Sequence, residues 1–359
     1  MPVLIFIVLL GFMVFVHELG HFLTAKRAGI KVEEFGFGFP PRLVGIRRGE
    51  TIYSINAIPL GGFVRMEGEN GDSTAPDSFG NASKLWRSSV LLAGPLMNIA
   101  VSALIFASAY AVGWPTPTET EVQVYRVMPG SPAEQAGLRE GDVIASVDGQ
   151  AISKSAALRD ATMQHLGQPL ALVIKRGEQQ LTVHVTPRTV WPADEGPMGI
   201  GLSDRATKME PVSYPLPQSL WLGAQQTASA VGLTFYVPVL LMKGLIPAEM
   251  ARPVGPVGIY QITSAAAQET ISTGWLFPLL SIAGMLSAGL GVANILPIPG
   301  LDGGRLLFIV IEAVRGRRVS PEREGMIHFA GIVFLLSVVA IISYYDILTP
   351  VNMDWSILR

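Results

Sequence analysis

Residues 16–22 read Val16-His17-Glu18-Leu19-Gly20-His21-Phe22. In a helix, residues four apart share a face, so His17 and His21 can close on one metal ion, while Glu18 on an adjoining face can reach a water beside it. The setting sharpens the motif, because residues 2–16 carry no charge. Ionisable groups at membrane depth are costly, and a cluster of them there marks a functional site by default. Motif and setting together predict a metal-dependent hydrolase working within a bilayer.

Composition agrees. Of the 359 residues, 49% are hydrophobic and 15% charged, against about 25% charged in a typical soluble domain, so the chain reads as a membrane protein. A net charge of −2 gives no reason to expect a nucleic acid partner. There is no cysteine, which removes disulfides, thiolate catalysis and cysteine zinc sites. Metal ligands must then come from His, Asp or Glu. The N-terminus has neither a basic region nor a small-x-small site before the motif, so it reads as a retained transmembrane helix rather than a signal peptide.

A spanning helix needs about 20 mostly apolar residues. Four segments qualify, at 3–24, 90–114, 276 to about 296 and 327–345. A fifth stretch, 220–245, is interrupted by Gln225, Gln226, Thr227 and Pro238, and reads as either a fifth span or, the favoured reading, an amphipathic helix on the membrane surface. Lys and Arg concentrate after the first span (Lys26, Arg27, Lys31, Arg42, Arg47, Arg48 and others) and between the third and fourth (Arg305, Arg315, Arg317, Arg318, Arg323). By the positive-inside rule both loops are cytoplasmic, which puts both termini and residues 116–275 outside.

Residues 31–68 alternate glycine, aromatic and β-branched residues, as in Phe35-Gly36-Phe37-Gly38-Phe39-Pro40-Pro41 and Thr51-Ile52-Tyr53-Ser54-Ile55. This predicts β-hairpin structure, dipping into the membrane directly after the metal motif. Residues 119–204 are polar, with strand-like runs at 122–127, 143–147, 170–174 and 181–185. Between them, Pro129-Gly130-Ser131-Pro132 through Gly141-Asp142-Val143-Ile144 and then Val147-Asp148-Gly149 closely resemble a bacterial PDZ domain. The resemblance implies that Ser131 caps a short helix and that Val147-Asp148-Gly149 is a hairpin turn. It also implies that Met198, Gly199 and Ile200 begin the strand whose edge takes a peptide C-terminus, last in order as in circularly permuted PDZ domains. Peptide binding and simple size exclusion are both open to such a domain.

A catalytic zinc usually has three protein ligands, and the motif supplies two. Candidates for the third are Asp302, Glu312, His328 and Asp346. His17 lies about 14 residues into the first span, roughly 21 Å from its outer end at 1.5 Å per residue, toward the cytoplasmic side. Asp346, past the fourth span, falls on the outer side and is excluded. Glu312 and His328 have compatible depth in ordinary helical context. Asp302 follows Asn294-Ile295-Leu296-Pro297-Ile298-Pro299-Gly300-Leu301 and precedes Gly303-Gly304. Such proline- and glycine-rich backbone at membrane depth is tolerated only where protein or a water-filled cavity satisfies it, so Asp302 is favoured.

The metal motif in a first span and NxxPxxxLDG in a later one together resemble the site-2 protease family of intramembrane zinc metalloproteases, and the PDZ insertion resembles its regulator-of-sigma-E-protease type. The resemblance covers nearly the whole chain. It implies zinc held by His17, His21 and Asp302, Glu18 as catalytic acid/base, and Asn294 as a substrate-positioning residue. Gly36 and Gly38 would belong to a membrane-reentrant β-loop that touches substrate. Gly94-Pro95-Leu96-Met97-Asn98 also resembles a family motif, with packing as its simplest role. Implied substrates are single-span membrane proteins already trimmed outside, such as anti-sigma factors or signal-peptide remnants. The implied location is a bacterial cytoplasmic membrane, with the active site toward the cytoplasm. Relatives with two tandem PDZ domains differ from this chain, which carries one. The rival expectation is a PDZ-bearing membrane scaffold without proteolysis, whose expected signature is a degraded metal motif.

The expected architecture is therefore a multi-pass α-helical membrane protein of four transmembrane helices, with a membrane-associated β-hairpin region and an inserted α+β PDZ domain. Its parts are 1–115 (two spans and the β-region), 116–205 (PDZ), 206–270 (linker and amphipathic helix) and 271–359 (two spans).

Overall fold

In chain order the elements are helix α1 (Pro2–Arg27), strands β1 (Val32–Arg48) and β2 (Thr51–Met66), helix α2 (Lys84–Gly113), strand β3 (Trp114–Val127), helix α3 (Pro132–Gln135), strands β4 (Val143–Val147) and β5 (Gln150–Ala151), helix α4 (Ser155–Gln164), strands β6 (Leu170–Arg176), β7 (Gln179–Val185) and β8 (Ile200–Val212), and helices α5 (Leu216–Met242), α6 (Pro256–Thr273), α7 (Phe277–Ile295), α8 (Asp302–Arg315) and α9 (Pro321–Leu348). This computed structural model describes all residues except 70–72, 74, 193, 194, 248–251, 352, 356, 357 and 359. Contacts divide the chain into two units: Met1–Trp114 with Val212–Ile357, and Pro115–Pro211 with Leu358–Arg359.

In the first unit α1, α2, α7 and α9 are long and apolar enough to cross a membrane. The central helix is α2, which packs on α1, α5, α7 and α8. Lipid offers no hydrophobic drive between helices, so small residues and interhelical hydrogen bonds carry the packing. Gly20 of α1 lies against the Ala93 backbone. Ser102 donates to Gly284 O at 2.8 Å, and Ser287 donates to Asn98 O at 2.8 Å. By contrast α9 is apolar and largely exposed, as a lipid-facing helix must be.

The 220–245 stretch differs from the surface helix expected of it. It forms α5, whose buried face is Ser219, Gly223, Thr227 and Ala230. Gly223 seats on the Ala103 and Ala107 backbone, and Thr227 meets Ser102 at 3.2 Å. A small-residue face matched to another helix, rather than an apolar stripe, fixes its position. One further helix, α6, was not expected, while α8 gives Glu312 the helical context expected for it. The Asp346 carboxylate accepts from the Gly255 and Gly258 N–H groups, each at 2.9 Å, at the start of α6 and is paired with Arg252 at 2.7 Å. Phe6 meets Tyr260, and the Trp275 indole donates to Gly113 O. These contacts gather the first residues of α1 and α7 and the last of α2 and α9 at one end. Tyr110, Trp114, Trp275 and Phe277 cluster there.

Strands β1 and β2 make one folded-back sheet. Residues 34–37 pair with 52–55 on one side and with 62–65 on the other, and residues 42–48 pair with 51–56 beyond. Its buried charge is Glu34, which accepts from Arg42, Ser54 and Arg65.

The second unit is built on a sheet ordered β7-β6-β4-β3-β8, with β5 paired to β4. Its core is Val122, Val124, Ile144, Leu158, Leu172, Ile174 and their neighbours. Ser131 Oγ accepts from Glu134 N at the start of α3, and Asp148 and Gly149 take positive φ in the turn between β4 and β5. Asp142 is buried at 1% exposure. Burial by itself raises a carboxyl pKa, but two hydrogen bonds from Arg176 at 2.7 Å and one from Arg139 N at 2.8 Å outweigh it and hold Asp142 below the usual range. A carboxylate depressed in the folded state contributes stability above its unfolded pKa, near 3.9, and loses it as pH falls through the folded value. We therefore expect hydrogen exchange at the Ile144 and Ile174 amides of the intact protein to quicken below about pH 4. Arg176→Met should lower protection at neutral pH by about 1–3 kcal/mol; unaltered protection would discount this pair.

Candidate metal centre

Three ligand-bearing side chains meet where α1, α2 and the start of α8 converge. His17 Nε2 lies 3.0 Å from Asp302 Oδ2, His21 Nε2 lies 3.3 Å from the same oxygen, and the two Nε2 atoms are 3.1 Å apart. Among the described residues this is the one group of three or more His, Asp or Glu able to hold a metal ion. Zinc bonds of about 2.0–2.2 Å in tetrahedral geometry place neighbouring ligand atoms roughly 3.3 Å apart, so the triangle fits one face of such a site. The donor set, two imidazoles and a carboxylate, is that of catalytic rather than structural zinc.

Each member is held by its own element. His17 and His21 are 7% and 5% exposed, one helical turn apart on α1. His21 Nδ1 lies 2.7 Å from Val90 O. A carbonyl only accepts, so the proton is on Nδ1 and Nε2 is left free. Asp302 is the first residue of α8, and the chain before it turns tightly: Ile298 N donates to Leu296 O and Leu301 N to Ile298 O. Side chains at 303 and 304 would collide with the carbonyls of residues 295, 296 and 298, so Gly303-Gly304 lets α8 start against the end of α7. Gly94 of α2 faces the histidines directly; a Cβ there would come under 3.0 Å from both His17 and His21.

Glu18 is not in the triangle. Its Oε2 accepts from Val64 N at 3.0 Å, which ties it to the backbone of residues 62–66. The other candidates for third ligand have different partners. Glu312 pairs with Arg87 at 2.7 Å and with Arg318. His328 Nδ1 accepts from Gly300 N at 2.9 Å, anchoring the loop before Asp302 to α9. Asp346 caps α6, as described.

The residues expected to touch substrate are dispersed. The Asn294 amide donates to Leu290 O within α7 at 3.0 Å. Gly36 lies inside the sheet, opposite Phe63 on one side and Ser54 on the other, so it offers no strand edge. Its missing side chain instead makes room for Phe63, Ser54 and Asn56. Gly38, at φ +79, passes close to the carbonyls of Asn56 and Ile58. In the second unit Met198, Gly199 and Ile200 line a groove of about 300 Å³ with Tyr125, Arg159 and Met163, beside the edge strand β8. Val64 went unpredicted, because it acts through its backbone and leaves no sequence signal. Asn98, for which packing was the simplest expectation, has its amide 3.3 Å from His17 Nδ1.

The sequence profile of Peptidase family M50 matches residues 5–338. A putative zinc metalloprotease of Clostridium acetobutylicum is 30% identical over 355 residues, covering 98% of both chains. The regulator of sigma-W protease RasP of Bacillus subtilis is 28% identical over 427 residues, covering 96% of this chain and 98% of that one. Among solved structures, the PDZ domain of an SdrC-like protein from Listeria monocytogenes covers 23% of this chain and 85% of its own, at 24% identity and a TM-score of 0.21.

Proposed function

The chain belongs to peptidase family M50, as a zinc metalloprotease of the site-2 type, and from that premise we propose that it cleaves transmembrane segments of single-span proteins already trimmed outside the membrane. The observation that carries this reading is the His17–His21–Asp302 triangle, whose two histidines are borne on the apolar helix α1. We assign zinc to those three side chains. Bound zinc lowers the pKa of a coordinated water toward 7 and polarises the scissile carbonyl.

The chain's own residues supply the rest. Glu18 accepts the proton of the attacking water and later delivers it to the leaving amine, so the C–N bond breaks with its proton returned. Its hydrogen bond from Val64 N fixes the carboxylate between the triangle and the sheet. A substrate helix hides its amides in internal hydrogen bonds and must be extended before attack. Residues 62–66 form the sheet edge next to Glu18, and pairing there would hold an unwound segment by β-augmentation. Asn294, near the end of α7, would help place that segment.

The basic residues after α1 and α8 support a cytoplasmic position for the site and an outer one for the second unit. The Bacillus relative is named a regulator of sigma-W protease, which favours anti-sigma-factor-like substrates here, with signal-peptide remnants as a second class. The groove at Met198–Ile200 would take a peptide C-terminus, or the unit would exclude bulky ectodomains. Deleting residues 119–204 tests the exclusion role. Cleavage should extend to untrimmed substrates in reconstituted vesicles; an unchanged preference for trimmed ones would discard the gate.

A further inference from the structure

The two histidines of the centre are served by one face of α2, at Val90, Gly94 and Asn98. Val90 O accepts a hydrogen bond from His21 Nδ1–H, Gly94 leaves room for both rings, and the Asn98 amide lies 3.3 Å from His17 Nδ1. Asn98 is wholly buried. With its Nδ2 turned toward His17, its Oδ1 has no hydrogen-bond partner. Buried amides with an unsatisfied end are uncommon and call for a reason.

Zinc chemistry supplies one. If Nδ2 donates to His17 Nδ1, that nitrogen keeps its lone pair and the ring proton sits on Nε2, the atom in the triangle, where it blocks ligation. Turning the amide by half a turn exchanges its two ends without moving any other atom. Oδ1 then accepts the Nδ1–H of His17, and Nε2 is freed. Either orientation leaves one end of the amide unpaired, so hydrogen-bond counting does not choose between them; ligation does. We propose that Asn98 is a positioning residue of the centre: its Oδ1 accepts a hydrogen bond from His17 Nδ1–H and fixes the tautomer and ring orientation in which His17 Nε2 binds zinc. The inference rests on zinc being held by His17, His21 and Asp302. It makes α2 the outer shell of both histidines, through a carbonyl for one and a carboxamide for the other.

The test uses the full-length protein in detergent. Zinc affinity is measured by competition with a chromophoric chelator at neutral pH, and site geometry by the d–d absorption of the cobalt-substituted protein. Asn98→Leu, similar in shape but without an acceptor, should weaken zinc binding about 10–100-fold and alter the cobalt spectrum. Asn98→Ala should do the same, and serves if the leucine variant does not fold. Asn98→Asp keeps the acceptor and should bind zinc at least as tightly as wild type. Wild-type affinity in both Asn98→Leu and Asn98→Ala would overturn the inference, as would an Asn98→Asp variant as weak as Asn98→Leu. A purely structural role would lower the unfolding temperature of the metal-free variants and leave affinity unchanged. His17→Ala separates the two levels: if it binds zinc like wild type, the ligand assignment fails; if it does not and Asn98→Leu does, only the role of Asn98 fails.

Discussion

Glu18→Gln leaves zinc bound and abolishes proteolysis. Glutamine keeps the shape of the side chain and an oxygen to accept from Val64 N, now at 3.0 Å from the carboxylate. The three ligand side chains are untouched, because Glu18 is outside their triangle. What the amide cannot do is take a proton from water and return it to the leaving amine. General acid–base catalysis contributes about 10²–10⁴ in rate, and here one group serves both transfers, so the loss should reach at least the upper part of that range. Metal content and cleavage of one transmembrane substrate, measured on the same purified sample, check it. Zinc retained with cleavage lost is the expected pair; appreciable cleavage by the variant would remove Glu18 from the mechanism.

Asp302→Asn should damage both properties. The carboxylate is the one anionic member of the triangle, and its Oδ2 lies 3.0 and 3.3 Å from the two Nε2 atoms. The amide is nearly the same size, so the start of α8 keeps its shape, but a neutral oxygen is a poorer ligand than a carboxylate. Loss of an outer-shell partner typically costs 10–100-fold in metal affinity, and weakening a ligand itself should cost more than about 100-fold by the same comparison. Activity should fall in step and recover partly with excess zinc. A variant that holds zinc as wild type does would point to another third ligand. Glu312 and His328 would then return as candidates, despite their present bonds to Arg87 and Gly300.

Run length and composition made the apolar helices legible, because lipid imposes a composition that soluble folding does not. α1, α2, α7 and α9 coincide closely with the four mostly apolar segments. The pairing of Asp302 with the histidines rests on a contact across 285 residues, and it could be anticipated because its depth matches theirs, proline and glycine around it signal irregular backbone, and the NxxPxxxLDG motif resembles that of the site-2 protease family. What escaped was of two kinds. Helix α5 looked amphipathic, whereas its buried face is small and polar, a pattern that becomes readable only once Ala103 and Ala107 of α2 are known to lie opposite. Gly36 looked like a residue for close substrate approach, whereas its neighbours on both sides are strands of the same sheet; the folded-back register is not encoded in local alternation. Val64 and Val90 act through backbone atoms, which any residue type would provide.

Mapping the scissile bond shows most directly whether the triangle of His17, His21 and Asp302 does its chemistry on a peptide bond inside the membrane. The purified protein is reconstituted in lipid vesicles with a single-span substrate trimmed on the outer side, stripped with a chelator, and reloaded with zinc, and the products are identified by mass spectrometry. No cleavage after stripping, recovery with zinc, and a cut within the substrate's apolar segment are the expected results. Cleavage that survives stripping, or that falls only in the substrate's water-exposed flanks, would contradict it.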